Sequence, residues 1–162
     1  YSETRLDSRY YNQGEVTRTE TDGEVLGTFA AINKDVDSLK ATMLDTVKSI
    51  AGSLQSQVDW YWSRAAKGGT AVPSDVATHA TAIYTVMDAK ESAIAALSDL
   101  AAVIAYQNTP MIETRKIKHT SDEGVETYGP ETETHNRDVD NVTHGWPTLE
   151  EADPAFVSLV GE

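Results

Sequence analysis

The chain has 162 residues, a net charge of −13 and no cysteine. So acidic a surface repels phosphate backbones and anionic membranes, which argues against direct nucleic-acid binding and membrane association. The missing cysteines exclude disulfides, thiolate metal sites and cysteine nucleophiles together. No run approaches the roughly 20 apolar residues that span a bilayer, and the opening YSETRLDSRYYNQGE holds no signal-peptide core.

Residues 1–27 are polar and read as an extended, partly β arm. Two turn candidates, Asn12-Gln13-Gly14 and Asp22-Gly23, bracket the alternating stretch Glu15–Thr21, which suggests a hairpin. Residues 28–106 read as helical. Phe29, Ile32, Val36, Leu39, Met43, Val47, Ile50, Leu54 and Val58 recur about every 3.6 residues, the α-helical period. With Thr28 as N-cap, the spacing predicts one helix over about 28–66, interrupted only by the tolerable Gly52.

A second helix is predicted over about 74–106. It is preceded by Pro73, has Asp75 in its first turn, and carries an apolar stripe through Val76, Ala80, Ile83, Val86/Met87, Ile94, Leu97, Ala101 and Ile104. The expected fold is therefore mainly α, a long antiparallel helical hairpin between two arms. Two helices do not enclose a core, and an alanine-rich stripe buries little apolar area at about 25 cal/mol per Å². Self-association is the expected remedy, making the chain a homo-oligomer. Residues 107–162 form the C-terminal arm, with two short strands expected around Ser121-Asp122-Glu123-Gly124 and a weakly apolar end at Ala155–Val160.

No catalytic constellation is visible. His79, His119, His135 and His144 lack metal-ligand spacing, and Asp138-Val139-Asp140-Asn141 lacks the glycine and glutamate of a calcium loop. Glu131, Glu133, Glu150 and Glu151 read as solvated carboxylates, and there is neither a nucleophile elbow nor a phosphate-binding loop. The expectation is a non-enzymatic protein without cofactor or metal.

The densest stretch is VDWYWSRAAKGGTAVPSDV at 58–76. Trp60 and Trp62 lie about 200° apart on a helix, so one is expected inside the hairpin and the other at an interface. Asp59 and Arg64 are placed to pair, Gly68 or Gly69 to end the first helix, and Pro73 to start the second. Tyr61, Trp62 and Trp146 are the candidate interface aromatics, with a ligand platform as the competing reading of the corner.

The order Asp59, Trp60, Arg64, Gly69, Pro73, a D-W-x3-R-x4-G-x3-P motif, resembles a helical-hairpin segment of bacteriophage tail-region proteins, tail-fibre-associated and tail-assembly-type. The likeness runs from about Val47 through Ala102; Lys67 departs from it, standing where that segment often has an acidic residue. The resemblance implies a virion component, a fibre, adaptor or baseplate-type subunit with other tail proteins as partners. It also leaves open an assembly factor absent from the mature particle. A small ligand- or cation-binding module is the reading from a different class.

Overall fold

The computed structural model describes the backbone of residues 2–4, 6–147 and 156–161, and the side chains of 6–147. Glu150 and Glu151, expected as solvated carboxylates, lie outside the described residues, as does Ala155 of the expected apolar end.

Two β-hairpins flank four helices. A short strand β1 (Ser2–Thr4) is followed by the long β2 (Tyr11–Thr21) and β3 (Glu24–Asn33). The helices are α1 (Val36–Ser56), α2 (Asp59–Ala66), α3 (Ser74–Ala96) and α4 (Leu100–Gln107). Then come β4 (Thr109–Thr120), β5 (Glu126–Val139) and β6 (Phe156–Gly161). The first sheet has the order β1-β3-β2, with β1 parallel and β2 antiparallel to β3; the second has the order β5-β4-β6, antiparallel throughout.

This overturns the expectation of a mainly α fold built on one long helical hairpin. Among residues 6–147 helix accounts for 42% and strand for 33%. Thr28, expected as a helix N-cap, sits inside β3 opposite Thr17. The cause is the turn before it. Asp22 (φ 53) and Gly23 (φ 80) form a two-residue reversal whose twist suits a hairpin, so the following residues must return along β2. Phe29 and Ile32 belong to that returning strand, on opposite faces, despite their helical spacing. Asn12-Gln13-Gly14 is not a turn; it lies within β2, at the irregularity between Gln13 and Val16.

Helix α1 begins where a carboxylate can hold its first turn. Asp35 accepts from the Ser38 backbone N–H at 2.9 Å and from the Ser38 hydroxyl at 2.8 Å. The expected helix over 28–66 is also broken at its other end. Gln57 and Val58 donate to Leu54 and Gln55 in tightened turns, after which α2 starts at Asp59. Neither residue is a helix breaker. Val58 at this interruption is fully buried against Val76 and Ala80 of α3, with Tyr61 and Val72 packed around them.

The expected second helix over 74–106 is likewise two helices. At Leu97 the backbone turns extended (φ −67, ψ 122), and Asp99 caps α4 by accepting from the Ala102 N–H at 2.8 Å. The free carbonyls at the end of α3 take a cation from across the interface: Lys40 of α1 donates to Ala95 O at 2.9 Å and Leu97 O at 2.8 Å. Together with the Gln55 amide donating to Ala80 O at 2.9 Å, these contacts set α1 antiparallel to α3.

The main core sits at the end of the helices from which both hairpins leave. Met43, Val47, Ile94 and Val103 form it with Tyr10 and Val142, which come from the segments outside the helices. Tyr10 joins the two arms. Its carbonyl accepts from Lys34 N–H, its hydroxyl accepts from Asn108 Nδ2 at 2.9 Å, and Asn108 Nδ2 also reaches Ile104 O at 2.8 Å. On the other side Asn141 donates to Tyr106 O at 2.9 Å and to the Thr109 hydroxyl at 2.7 Å.

Candidate functional site

The corner at 58–76 is assembled by α2 and the turn after it. The two tryptophans do not divide as their spacing predicts: Trp60 is 49% and Trp62 39% exposed. Tyr61, between them, is the ring that faces inward onto Val58 and Val76. The inward line keeps its helical spacing through Ala51, Val58 and Tyr61, and the two tryptophans flank Tyr61 on either side of it. Trp60 and Tyr61 rings lie 3.9 Å apart at 32°, and the Arg64 guanidinium stands 4.7 Å over Trp60 and 5.4 Å over Tyr61. Arg64 thus covers aromatic faces rather than pairing Asp59, and the aromatic surface of the competing platform reading is occupied by the protein's own cation.

Gly68, at φ 81, takes the left-handed position that ends α2. Gly69 has a different task. Its N–H donates to Arg64 O at 3.0 Å, and a Cβ added there would stand 2.7 Å from Arg64 Cγ and 2.9 Å from Arg64 O. Pro73 holds the N-cap position of α3 in an extended conformation (φ −60, ψ 145). Gly69→Ala is therefore expected to cost about 1–3 kcal/mol, more than Trp60→Ala, whose half-exposed ring is worth about 1 kcal/mol. Chemical denaturation of the two variants measures the order, and the reverse order would make the aromatic pair the corner's main support.

Trp146 is not part of the corner. It packs on the core at the arm end, donates from Nε1 to Val142 O at 3.0 Å, and lies 5.5 Å below the Lys90 ammonium. Lys90 donates to the carbonyls of Asn141 and His144, clamping the segment that follows β5 onto α3. Burial lowers the Lys90 pKa from its ordinary value; burial and then Lys90 lower that of His144. Sequence reading singled out neither Lys90 nor Tyr10, because a lone lysine or tyrosine carries no pattern until its partners are known.

Strands β2, β3 and β5 are exposed over most of their length, with Leu26 46% and Ile32 53% exposed, whereas most of β4 is half-buried. The interior polar support of the arms is concentrated in β4. There Glu113, 7% exposed, accepts from Arg115 Nε at 2.6 Å and from Arg137 Nη1 at 3.2 Å. The Arg115 hydrogen bond, followed by that of Arg137, holds its pKa below the usual carboxylate value. A carboxylate depressed in the folded state contributes stability that is present above its unfolded pKa and lost as pH falls through the folded one. The second hairpin is accordingly expected to lose order on acidification below about pH 4.5, and Glu113→Gln to flatten that limb. Far-UV circular dichroism across the acid range reads both, and an unchanged acid limb in the variant would dismiss Glu113 as its source.

Among the described residues no three His, Asp or Glu side chains converge as metal ligands. His119 and Glu131 are 3.9 Å apart and His135 and Glu133 3.2 Å, as separate pairs on the second sheet, while His79 is buried in α3. Among those residues no helix is long and apolar enough to cross a membrane. No known protein family, curated protein or solved structure matches the chain.

Proposed function

We propose that this chain is a structural subunit of a bacteriophage tail, a fibre, adaptor or baseplate-type component that works through protein–protein contacts. The observation that carries the reading is the imbalance between core and arms. Two long hairpins, each widened to three strands by β1 or β6, leave one end of a small helical body with most of β2, β3 and β5 in solvent, and a sheet without a covered apolar face is marginally stable in water. Arms of this construction gain their stability when neighbouring subunits cover them, which is how a chain embedded in a large assembly is built. The corner motif Asp59, Trp60, Arg64, Gly69, Pro73 adds the likeness to tail-region segments, and the −13 charge turns the chain away from nucleic acid towards protein partners.

In this reading the virion is the working location, other tail proteins and further copies of the same chain are the partners, and the exposed Trp60 and Trp62 are contact residues at the far end of the helices from the arms. The chain performs no catalysis and binds no cofactor. The test is mass spectrometry of purified particles, calibrated for copy number. A fixed number of copies per particle is the expected result. Absence from mature particles, with presence in infected cells, would replace the structural subunit by an assembly factor.

A further inference from the structure

Strand β2 is an outer strand of its sheet, and among the described residues nothing pairs with its far edge. Open edges are commonly blunted by proline, lysine or a bulge. Of the two outer strands of the other sheet, β5 contains Pro130, whereas β2 has neither proline nor lysine. The irregularity of β2 lies between Gln13 and Val16, so Thr17–Thr21 is regular up to the Asp22-Gly23 turn. All five of these residues are exposed.

Their order is Thr17, Arg18, Thr19, Glu20, Thr21. Reversed about Thr19, the segment places threonine opposite threonine and arginine opposite glutamate. A strand laid antiparallel against its own copy makes that reversal. We propose that two copies of this chain pair through the outer edges of β2, antiparallel about a two-fold axis at Thr19, joining their sheets into one.

The backbone permits this register. Thr21 and Glu24 flank a two-residue turn and exchange both hydrogen bonds, after which bonded and non-bonded pairs alternate along the hairpin. Arg18 and Glu20 therefore aim their N–H and C=O groups away from β3, and in this register each meets the other's outward groups on the partner strand. Thr19 meets Thr19 as a non-bonded pair, the closer kind, with Cα atoms about 4.5 Å apart. Cross-strand Thr–Thr and opposite-charge pairs are the favourable ones on a sheet, and like charges directly opposite are unfavourable.

The charge pattern selects a second copy over an unrelated strand. Two chains of −13 each repel, and contact is tolerated only where local charge is neutral or complementary. Thr17–Thr21 satisfies that with itself: two Arg18–Glu20 pairs form across the axis. The edge of β5 is interrupted by Pro130, and next to it the run through Glu131 and Glu133 is acidic. The pairing follows from the hairpin alone and is independent of the tail assignment.

Sedimentation of the full chain over a concentration series tests it. The native protein is expected to dimerise. Arg18→Glu and Glu20→Arg are each expected to weaken the dimer by about tenfold or more, with the folded spectrum unchanged because both side chains are exposed. The double change Arg18→Glu/Glu20→Arg keeps the antisymmetry and is expected to restore the native association. Thr19→Cys, in a chain without cysteine, should crosslink to its own copy on mild oxidation, at a spacing a disulfide accepts. A strictly monomeric chain overturns the proposal. So does a dimer indifferent to the charge reversals, or one in which Thr19→Cys fails to crosslink, since association would then use another surface. Particle mass spectrometry decides the tail role separately.

Discussion

Tyr10→Ala is expected to lower the unfolding free energy by about 3–5 kcal/mol, the range for deleting a buried aromatic. Tyr10 is 2% exposed and, among the described residues, is the one ahead of the first hairpin that belongs to the main core. The truncation opens a cavity beside Met43 and Val47 and removes the hydroxyl that accepts from Asn108. Because that hydrogen bond ties the start of the N-terminal hairpin to the start of the C-terminal one, both arms are expected to lose hydrogen-exchange protection near their bases. Tyr10→Phe separates the two contributions: it keeps the packing and gives up one hydrogen bond, at about 1 kcal/mol. Denaturant midpoints of the two variants, with exchange mapped along the chain, decide the matter. Equal effects would mean that the hydroxyl and not the ring holds the joint.

Ile94→Ala is expected to cost about 2–5 kcal/mol. Ile94 is fully buried and meets Met43 and Val47 of α1 and Val103 of α4, where three helices converge. Ile83 is equally buried but lies outside both apolar clusters. Its truncation is expected to cost less, since the cavity term depends on how far the surroundings can collapse. Against a total stability of about 5–15 kcal/mol for an ordinary domain, losing Ile94 would remove a large fraction of the whole. Thermal and denaturant unfolding measure the difference, and an Ile83 effect equal to that of Ile94 would indicate a core spread evenly along the helices rather than one gathered at the arm end.

The seam of α1 was legible because its signal is local and repeated. Met43 and Val47 are buried, and Val36 and Leu39 pack against them, as their spacing requires. The same period misled at Phe29 and Ile32, where a chance continuation of helical spacing overlay a strand. The competing information, Asp22-Gly23, was visible, and a two-residue reversal obliges a partner strand of matching length. The cap at Asp35, with Ser38 three residues on, and the cap at Asp99 before an apolar run were also present in the sequence. Long periodic stripes outweighed them, and the expected helices ran through both.

The corner shows the same division. Gly68 and Pro73 act through their own backbones, so their positions followed from residue type. The tryptophans depend on how α2 is oriented, and that is decided by Val58 finding Val76 and Ala80 on another helix. Nothing in the spacing of Trp60 and Trp62 reports that contact.

What the sequence by itself determined is therefore the local chemistry: the reversals at Asp22-Gly23 and Ser121–Gly124, the apolar seam from Val36 to Val58, and the antisymmetric Thr17–Thr21 segment. Each depends on residues close together in the chain, where φ preference and periodicity act directly. What only the tertiary structure decided is where the helices stop and which aromatics reach solvent. Lys40 finishes α3 from fifty-five residues away, at Ala95 O, and Tyr10 enters a core made by helices it precedes. Such contacts are energetic facts of packing between distant segments, and no local propensity encodes them.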